Sequence, residues 1–386
     1  MQPFQFNTTP QLIFRPGAAA DLAAMVSGRG VTRLLFVTDP GLRRLGLCDP
    51  ALRSLEAAGL TVTVFDAVEA DPSLVTVINA VEAGRVAGAT GVIGFGGGSS
   101  LDVAKVVALL LGSGEPIEAA WGVGNARGPR LPLILVPTTA GTGSEVTPVS
   151  IITVDGDEKR GVSSPILLPD IALLDPDLTL GLPASITAAT GVDAMVHAIE
   201  AYASKNANNN PLSKILARQA LRLLGANIET AVLDGANHEA RGAMLLGSML
   251  AGQAFANSPV AAVHALAYPI GGIFHVPHGL SNALVLPHVL RFNAPEAFAL
   301  YAEIAVDAFP DLSAEEGAQG RCATFIERLS GLSRRLGLQT RLRDVGIGEA
   351  DLPRMAKDAM KQTRLLVNNP RTLSEADALA IYRAAW

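Results

Sequence analysis

Short apolar runs rich in β-branched residues recur through the first half of the chain, with stretches of helical periodicity between them. Leu34-Leu35-Phe36-Val37-Thr38, Thr61-Val62-Thr63-Val64-Phe65, Gly91-Val92-Ile93-Gly94-Phe95, Leu133-Ile134-Leu135-Val136 and Ile171-Ala172-Leu173-Leu174 read as strands. Residues 74–87 and 101–111 read as helices between them. Strands without a polar face need cover on both sides, and strands that alternate with helices pair in parallel. From about Leu182 the pattern changes to long Ala/Leu-rich segments at 184–205, 212–232, 238–256 and 314–336. The expectation is an α/β unit with a parallel sheet over residues 1–181 and an all-α unit over 182–386. Ligands in such a protein are expected at the carboxyl ends of the strands, in the cleft against the second domain.

Two loops rich in glycine and hydroxyls stand at the ends of neighbouring strands. Gly94-Phe95-Gly96-Gly97-Gly98-Ser99-Ser100 follows the third run and opens a helix near Leu101. Gly96, Gly97 and Gly98 let the backbone approach a ligand closely. The free amides of a helix start, with Ser99 beside them, suit a pyrophosphate. The spacing is not GxGxxG, so a tight strand–helix turn is the competing reading. The fourth run leads into Pro137-Thr138-Thr139-Ala140-Gly141-Thr142-Gly143-Ser144-Glu145. Thr138, Thr139, Thr142 and Ser144 could reach the nicotinamide end of a dinucleotide, or the segment is an ordinary glycine-rich loop. Asp39 follows the strand 34–38, where the adenosine ribose would lie if Gly96–Ser99 hold the pyrophosphate. A carboxylate there accepts bonds from the ribose hydroxyls and repels the 2′-phosphate of NADP. The plainer reading has Asp39 capping the next helix.

Histidine is scarce and clustered: of six in the chain, five fall between 197 and 278. Asp193 and His197 are four residues apart and share one helix face. His264 sits in an otherwise apolar stretch, Ala261 to Ala267, and His275-Val276-Pro277-His278 follows. A buried imidazole needs a partner, and a metal is one. Three imidazoles and a carboxylate suit Fe(II) or Zn(II), with a position left open for a substrate oxygen. Taken singly, each residue has a structural alternative, as a core histidine or a helix-surface pair. His238 and His288 lie outside the cluster and take that reading.

Composition narrows the choice. Cys48 and Cys322 are the only cysteines and form no CxxC pair, so neither a disulfide framework nor a cysteine-built zinc site is expected. The net charge is −6 with Lys and Arg dispersed, which argues against nucleic acid or an anionic membrane as partner. No run reaches the roughly 20 apolar residues of a membrane span, and the first residues lack a leader pattern. A soluble cytoplasmic protein is expected.

With these motifs in place, the chain resembles the iron-containing, or group III, alcohol dehydrogenases. The resemblance is carried by residues 96–100 with Asp102 and Lys105, and by residues 137–147. Thr190-Gly191-Val192-Asp193 through His197 to Glu200-Ala201-Tyr202, His264, and Pro277-His278-Gly279 carry it further. It extends in style to Asn368-Asn369-Pro370-Arg371. It implies a dinucleotide-binding α/β domain, an all-α domain and an active site in the interdomain cleft. It implies Asp193, His197, His264 and His278 as ligands of a divalent metal, Fe(II) before Zn(II). Asp102 and Lys159 then join the NAD(H) site, and an acidic residue at the place of Asp39 goes with NAD preference. A homodimer or larger homo-oligomer is implied, with residues 4–14 as an interface strand. Some members carry a histidine four residues after the third ligand. This chain has Tyr268 there, so His275 becomes the candidate for a proton relay or substrate contact.

The reaction so implied is reversible hydride transfer between an alcohol and NAD. Val149 and Phe255 are the candidate pocket residues, and their apolar character points to a small or medium primary alcohol or its aldehyde. A metal-free reductase of the maleylacetate type is the first alternative, against which the full ligand set argues. A dehydroquinate synthase-like lyase is the second. It would need cations for a phosphorylated substrate, and Lys205, Lys214, Arg218, Arg222 and Arg241 all stand outside the ligand motifs. A non-catalytic dinucleotide-binding module is the third.

Overall fold

The computed structural model describes residues 2–154, 158–312 and 317–386. They group into two units. The first comprises Asn7–Thr139 and Gly143–Leu180. The second comprises Gly181–Trp386 with Ala140–Thr142 and the segment ending at Phe6.

The strands of the first unit are β1 (Gln11–Phe14), β2 (Arg33–Val37), β3 (Thr61–Phe65), β4 (Gly91–Gly96), β5 (Gly122–Val123), β6 (Leu133–Pro137), β7 (Val149–Val154), β8 (Glu158–Ser163) and β9 (Ile171–Leu174). Its helices are α1 (Leu22–Val26), α2 (Pro40–Arg44), α3 (Asp49–Ala57), α4 (Leu74–Ala87), α5 (Gly98–Ser113) and α6 (Ile117–Ala120). Six strands form one parallel sheet in the order β1-β9-β6-β4-β2-β3.

Side chains alternate across that sheet, as strand geometry requires. Leu34, Phe36, Ile93, Phe95, Ile134 and Val136 pack with α1 and α3. Leu35, Val37, Val92, Leu133 and Leu135 pack with α4, α5 and α6. Both faces are therefore apolar, which is why the strands read as continuous hydrophobic runs. The chain steps outward from β2 to β3, then returns past β2 to β4 and on to β6. The strand order reverses between β2 and β4, and their carboxyl ends form the switch point where such sheets bind ligands.

Three features depart from the sequence reading. Helix α5 begins at Gly98, not near Leu101, because the glycines and serines form the strand end and the first helical turn rather than a free loop. The strand expected over residues 4–14 is confined to β1. A second sheet, β5-β8-β7, was not anticipated. Its β8 reads Glu-Lys-Arg-Gly-Val-Ser, too polar to register as a core strand.

The second unit is helical: α7 (Ala184–Ala203), α8 (Pro211–Leu233), α9 (His238–Asn257), α10 (Ala262–Phe274), α11 (His278–Ala308), α12 (Gly317–Arg335), α13 (Leu352–Ala359), α14 (Thr363–Leu366) and α15 (Glu375–Ala385). The expected segment 314–336 begins outside the described residues and otherwise coincides with α12. Asn210, Asn237 and Ser374 cap α8, α9 and α15 through their side chains, satisfying amides that a helix start leaves open. The apolar helix face read at residues 261–267 is the start of α10, which runs on through Pro269, whereas α11 was not anticipated, because Pro287 and Pro295 interrupt its periodicity. Burial of Leu284, Val285, Leu286 and Val289 along α11 outweighs that local penalty. Asn368 donates to the Val260 carbonyl (3.0 Å) and Asn369 to Asn293 (2.7 Å), while Arg371 donates to the Phe292 carbonyl (2.8 Å). The Asn-Asn-Pro-Arg motif thus ties the C-terminal segment to its unit. Among the described residues, no helix is long and apolar enough to cross a membrane.

Candidate metal centre and phosphate loop

Asp193 and His197 lie one turn apart on α7, His264 lies in the first turn of α10, and His278 opens α11. One donor atom from each lies within 4.8 Å of the others. His197 Nε2 and His278 Nε2 stand 4.0 and 3.8 Å from Asp193 Oδ1. Asp193, His197 and His264 are buried, whereas the His278 side chain is 45% exposed. The cluster therefore has one accessible flank.

Two of the rings have their tautomer fixed from behind. His197 Nδ1 donates to the Gly141 carbonyl at 3.2 Å, and a carbonyl can only accept, so Nε2 carries the lone pair. His264 Nδ1 donates to Glu200 Oε2 at 2.6 Å, with the same result. Helix α10 has no cap of its own. Glu200, from α7, accepts the amides of Ala261 (3.0 Å) and Val263 (2.7 Å) in its place. A carboxylate at a helix N-terminus is favoured by the dipole. One buried side chain thus anchors α10 and orients a ring on it. Phe255 stacks on His197, with ring centroids 4.4 Å apart, and His197 stacks on His264 at 4.8 Å. A Cβ built on Gly279 would collide with the Ala189 carbonyl and reach within 3.3 Å of Asp193 Cβ, so α11 meets α7 main chain to main chain.

Burial pushes the His197 imidazole down to about 3, leaving it neutral at ordinary pH. Burial would raise the Asp193 carboxyl. His197, His278 and His264, with the Asn282 hydrogen bond, more than offset this and hold it below its usual value. An ionised carboxylate beside a neutral imidazole is the state in which a divalent cation is bound.

At the carboxyl end of β4, Gly96 adopts φ +152°, and a Cβ there would lie 2.7 Å from Ser100 Oγ. Gly97 is the N-cap of α5 and supplies no side-chain cap, so the first amides of a 16-residue helix lack the side-chain acceptor that α8, α9 and α15 have. A Cβ on Gly97 would have nothing nearer than Thr139, at 3.7 Å. Ser99 lies in the first turn of α5, and the Thr138 amide donates to the Gly96 carbonyl at 3.0 Å.

Other anticipated residues are engaged within the chain. Asp39 caps α2, its Oδ1 accepting the amides of Gly41 (2.8 Å) and Leu42 (3.0 Å). Asp102 uses both oxygens internally: Oδ1 accepts from Ser144 Oγ (2.6 Å) and Oδ2 from the Ile151 amide (2.9 Å). Lys105, fully buried, pairs with Asp102 at 3.1 Å and donates to the Val149 carbonyl. Nearby Glu145 is buried with Oε1 unpartnered, and burial pushes its carboxyl up to about 7. Lys159 pairs with Asp71 at 2.7 Å and donates to Thr153. Thr142 falls in the short segment that groups with the helical unit. His275 is exposed at the C-cap of α10, with φ +55°, and stands outside the four-residue cluster. Tyr268 accepts a bond from Arg364 at 3.2 Å. Both cysteines are free and buried.

Two residues at the centre were not singled out from the sequence. Glu200 appeared only within a motif, and Asn282 not at all. The i,i+4 spacing of His278 and Asn282 is the one signal that pointed to the latter.

The description iron-containing alcohol dehydrogenase matches residues 9–176, and Fe-containing alcohol dehydrogenase family, C-terminal, matches residues 187–386. The chain belongs to the iron-containing alcohol dehydrogenase family, and is an enzyme of the alcohol dehydrogenase class. It is 41% identical over 375 residues to long-chain-alcohol dehydrogenase 1 of Geobacillus thermodenitrificans, covering 96% of this chain and 93% of that one. It superposes on a crystal structure of 1,3-propanediol oxidoreductase with a TM-score of 0.93 and 36% identity, over all of both chains. Sulfoacetaldehyde reductase from Bifidobacterium kashiwanohense, solved in complex with NAD+, is 28% identical with a TM-score of 0.88, over 100% of this chain and 99% of that one.

Proposed function

We propose that this chain is a metal-dependent, NAD(H)-linked alcohol dehydrogenase acting on small to medium primary alcohols and their aldehydes. The observation that carries the reading is the convergence of Asp193, His197, His264 and His278 within 4.8 Å, with two rings held so that Nε2 keeps the lone pair. One carboxylate and three nitrogens fit a divalent cation of borderline softness, Fe(II) first and Zn(II) second. Held there by Asp193, His197, His264 and His278, an ion would supply Lewis acidity toward an alcohol or carbonyl oxygen, and a nicotinamide dinucleotide would supply the hydride chemistry.

The remaining work falls to the chain. Glu200 and the Gly141 carbonyl keep two rings in one tautomer, as outer partners of metal ligands do. Phe255, against His197, offers an apolar wall that excludes water from one side, and Val149 is separately assigned to contact with the substrate. Gly97, Gly98 and Ser99 present uncapped helix amides suited to the pyrophosphate. Asp39, at the β2/β4 switch point, offers a carboxylate for ribose hydroxyls. Thr138, Thr139, Thr142 and Ser144 line the neighbouring loop, with Lys159 and Asp102 as supports. His275, the exposed imidazole beside His278 in sequence, is assigned to exchange of the hydroxyl proton with water.

The relatives' names support an unhindered primary alcohol, since one acts on long-chain alcohols and another on 1,3-propanediol. The NAD+ complex of a third supports the cofactor. A homodimer is supported by β1, an edge strand with Leu12 and Phe14 exposed. A cytoplasmic setting fits both cysteines being unpaired.

The test is NADH formation or consumption with a panel of primary alcohols and aldehydes, using chelated protein before and after Fe(II) or Zn(II) is added. Activity should vanish on chelation and return with metal. Full turnover in metal-free protein would instead favour the metal-free reductase.

A further inference from the structure

We infer that Arg43 is a receptor for a 2′-phosphate kept occupied by Asp49 and Asp66, so that cofactor choice rests on this ion-pair cluster as well as on Asp39. The inference rests on the NAD(H) reading above, which sets the adenosine ribose at Asp39. Strands β2 and β3 run parallel with Val37 opposite Phe65. Beyond that pair the Thr38 amide donates to the Phe65 carbonyl at 2.9 Å, and the Val68 amide to the Thr38 carbonyl at 3.4 Å. Asp66 therefore leaves the sheet beside Thr38, one residue short of Asp39. Arg43 stands one turn beyond Asp39 on α2, its amide donating to the Asp39 carbonyl at 3.3 Å.

The guanidinium is gripped from two sides. Its Nη1 donates to Asp49 Oδ1 at 3.3 Å, and its Nε lies 3.7 Å from Asp66 Oδ2. Asp49 is the first residue of α3, brought there by a turn in which Gly46, at φ +68°, donates to the Arg43 carbonyl. The side chains of Arg43, Asp49 and Asp66 are 32%, 47% and 53% exposed. Ion pairs so exposed add little to stability. What they do fix is which groups the arginine donors meet. An arginine near the ribose-binding strand end is the group that accommodates the 2′-phosphate of NADP, and its planar fork matches phosphate oxygens. Here the donors face carboxylates instead, and Asp39, Asp49 and Asp66 outnumber the one cation among them. Arg44 follows, exposed and in no ion pair among the described residues.

The consequence separates three roles. If Arg43 is a receptor held out of use, removing it changes NADPH binding little while Asp66 is charged, and much once Asp66 is neutral. If Asp66 only repels the phosphate through solvent, removing Arg43 has the same effect in both backgrounds, since independent charges add. If the cluster only ties α2 to α3 and β3, melting moves and cofactor choice does not.

The experiment titrates NADPH and NADH by fluorescence against wild type, Asp66→Asn, Arg43→Gln and the double variant, with a melting curve on each. Asp66→Ser is measured beside Asp66→Asn, in case the asparagine still holds the guanidinium, and Arg44→Gln in the Asp66→Asn background is the control. In wild type, Arg43→Gln should leave the NADPH dissociation constant within about twofold. Asp66→Asn should bind NADPH roughly tenfold more tightly than wild type, the change that one charge-assisted hydrogen bond implies. Arg43→Gln should remove that gain, and Arg44→Gln should leave it in place. NADH should bind within about twofold of wild type throughout. NADPH affinity unchanged in both Asp66 variants, or a gain that survives Arg43→Gln, overturns the receptor role and leaves the NAD(H) reading intact. If wild type binds neither dinucleotide, that reading falls, and this inference with it.

Discussion

Replacing Gly97 by valine separates ligand binding from folding at the phosphate loop. The backbone at Gly97, φ −73° and ψ −179°, is extended and open to any residue. A Cβ there meets only Thr139, at 3.7 and 3.8 Å. The cost to the free protein is loss of a favourable N-cap, about 1 kcal/mol or less, or a few degrees of melting temperature. A pyrophosphate seated on the first amides of α5 would suffer much more. Charge-assisted hydrogen bonds are worth about 1.5–3 kcal/mol each. The valine methyls would stand where phosphate oxygens approach those amides, so one or two such bonds would be lost. A loss of about 3 kcal/mol raises the NADH dissociation constant roughly 100-fold. Fluorescence titration of NADH, with a melting curve on the same protein, makes the measurement. Gly96→Ala is unsuitable, because its Cβ would strike Ser100 at 2.7 Å whether or not a ligand is present. If Gly97→Val melts like wild type and binds NADH within about twofold of it, the loop is only a turn and the assignment of the pyrophosphate is wrong.

Three further outcomes are expected. Glu200→Gln places an amide where the His264 ring and two helix amides need an acceptor, so metal affinity should fall about 10–100-fold. Chelator competition reads this, and equal affinity would mean that Glu200 serves only as a cap. Asp39→Asn keeps the Oδ1 cap of α2 and removes the charge. The NADP-to-NAD ratio of kcat/KM should rise roughly tenfold, and an unmoved ratio would show that the ribose lies elsewhere. Glu145 holds its proton more tightly folded than unfolded, since burial moves it from 4.5 up to about 7. Its contribution to stability is complete below pH 4.5 and lost as pH rises through about 7. Urea unfolding at pH 5 and pH 8 should show a loss of about 3 kcal/mol at most in wild type. Glu145→Gln should lack that loss, and parallel pH dependence in the two proteins would count against it.

The parts of the fold visible in the sequence are those fixed by local pattern. Strands buried on both faces, such as β2 and β4, must be apolar throughout, and helix α4 carries its period intact from Leu74 to Ala87. The antiparallel pair of β7 and β8 was hidden because β8 opens on three charged residues, Glu158, Lys159 and Arg160, and carries no apolar run. Helix α11 was hidden because Pro287 and Pro295 read as stops, and only tertiary burial keeps the 31 residues in one helix. At the site, Asp193 and His197 were marked by their spacing, and His264 by its apolar surroundings. Glu200 had no such mark, and Asn282 only its spacing from His278. Their partners lie 64 and 89 residues away, a proximity that exists only once the helices have packed. Asp102 shows the opposite limit, because its place in a motif did not reveal that both oxygens are used within the chain.

The contact at Gly279 bears on which ions the proposed centre would accept. Divalent ions of different radius require different separations of their donors. Asp193 rides on one of the two touching helices and His278 on the other, and at Gly279 nothing softer than main chain lies between them. Packed atoms resist compression far more than they resist parting. The ring of donors therefore has a floor on its width, set by a hydrogen where any other residue would place carbon, but no equally hard ceiling. An ion too small for the ring would find the helices already touching, while a somewhat larger one would need only a slight opening between them.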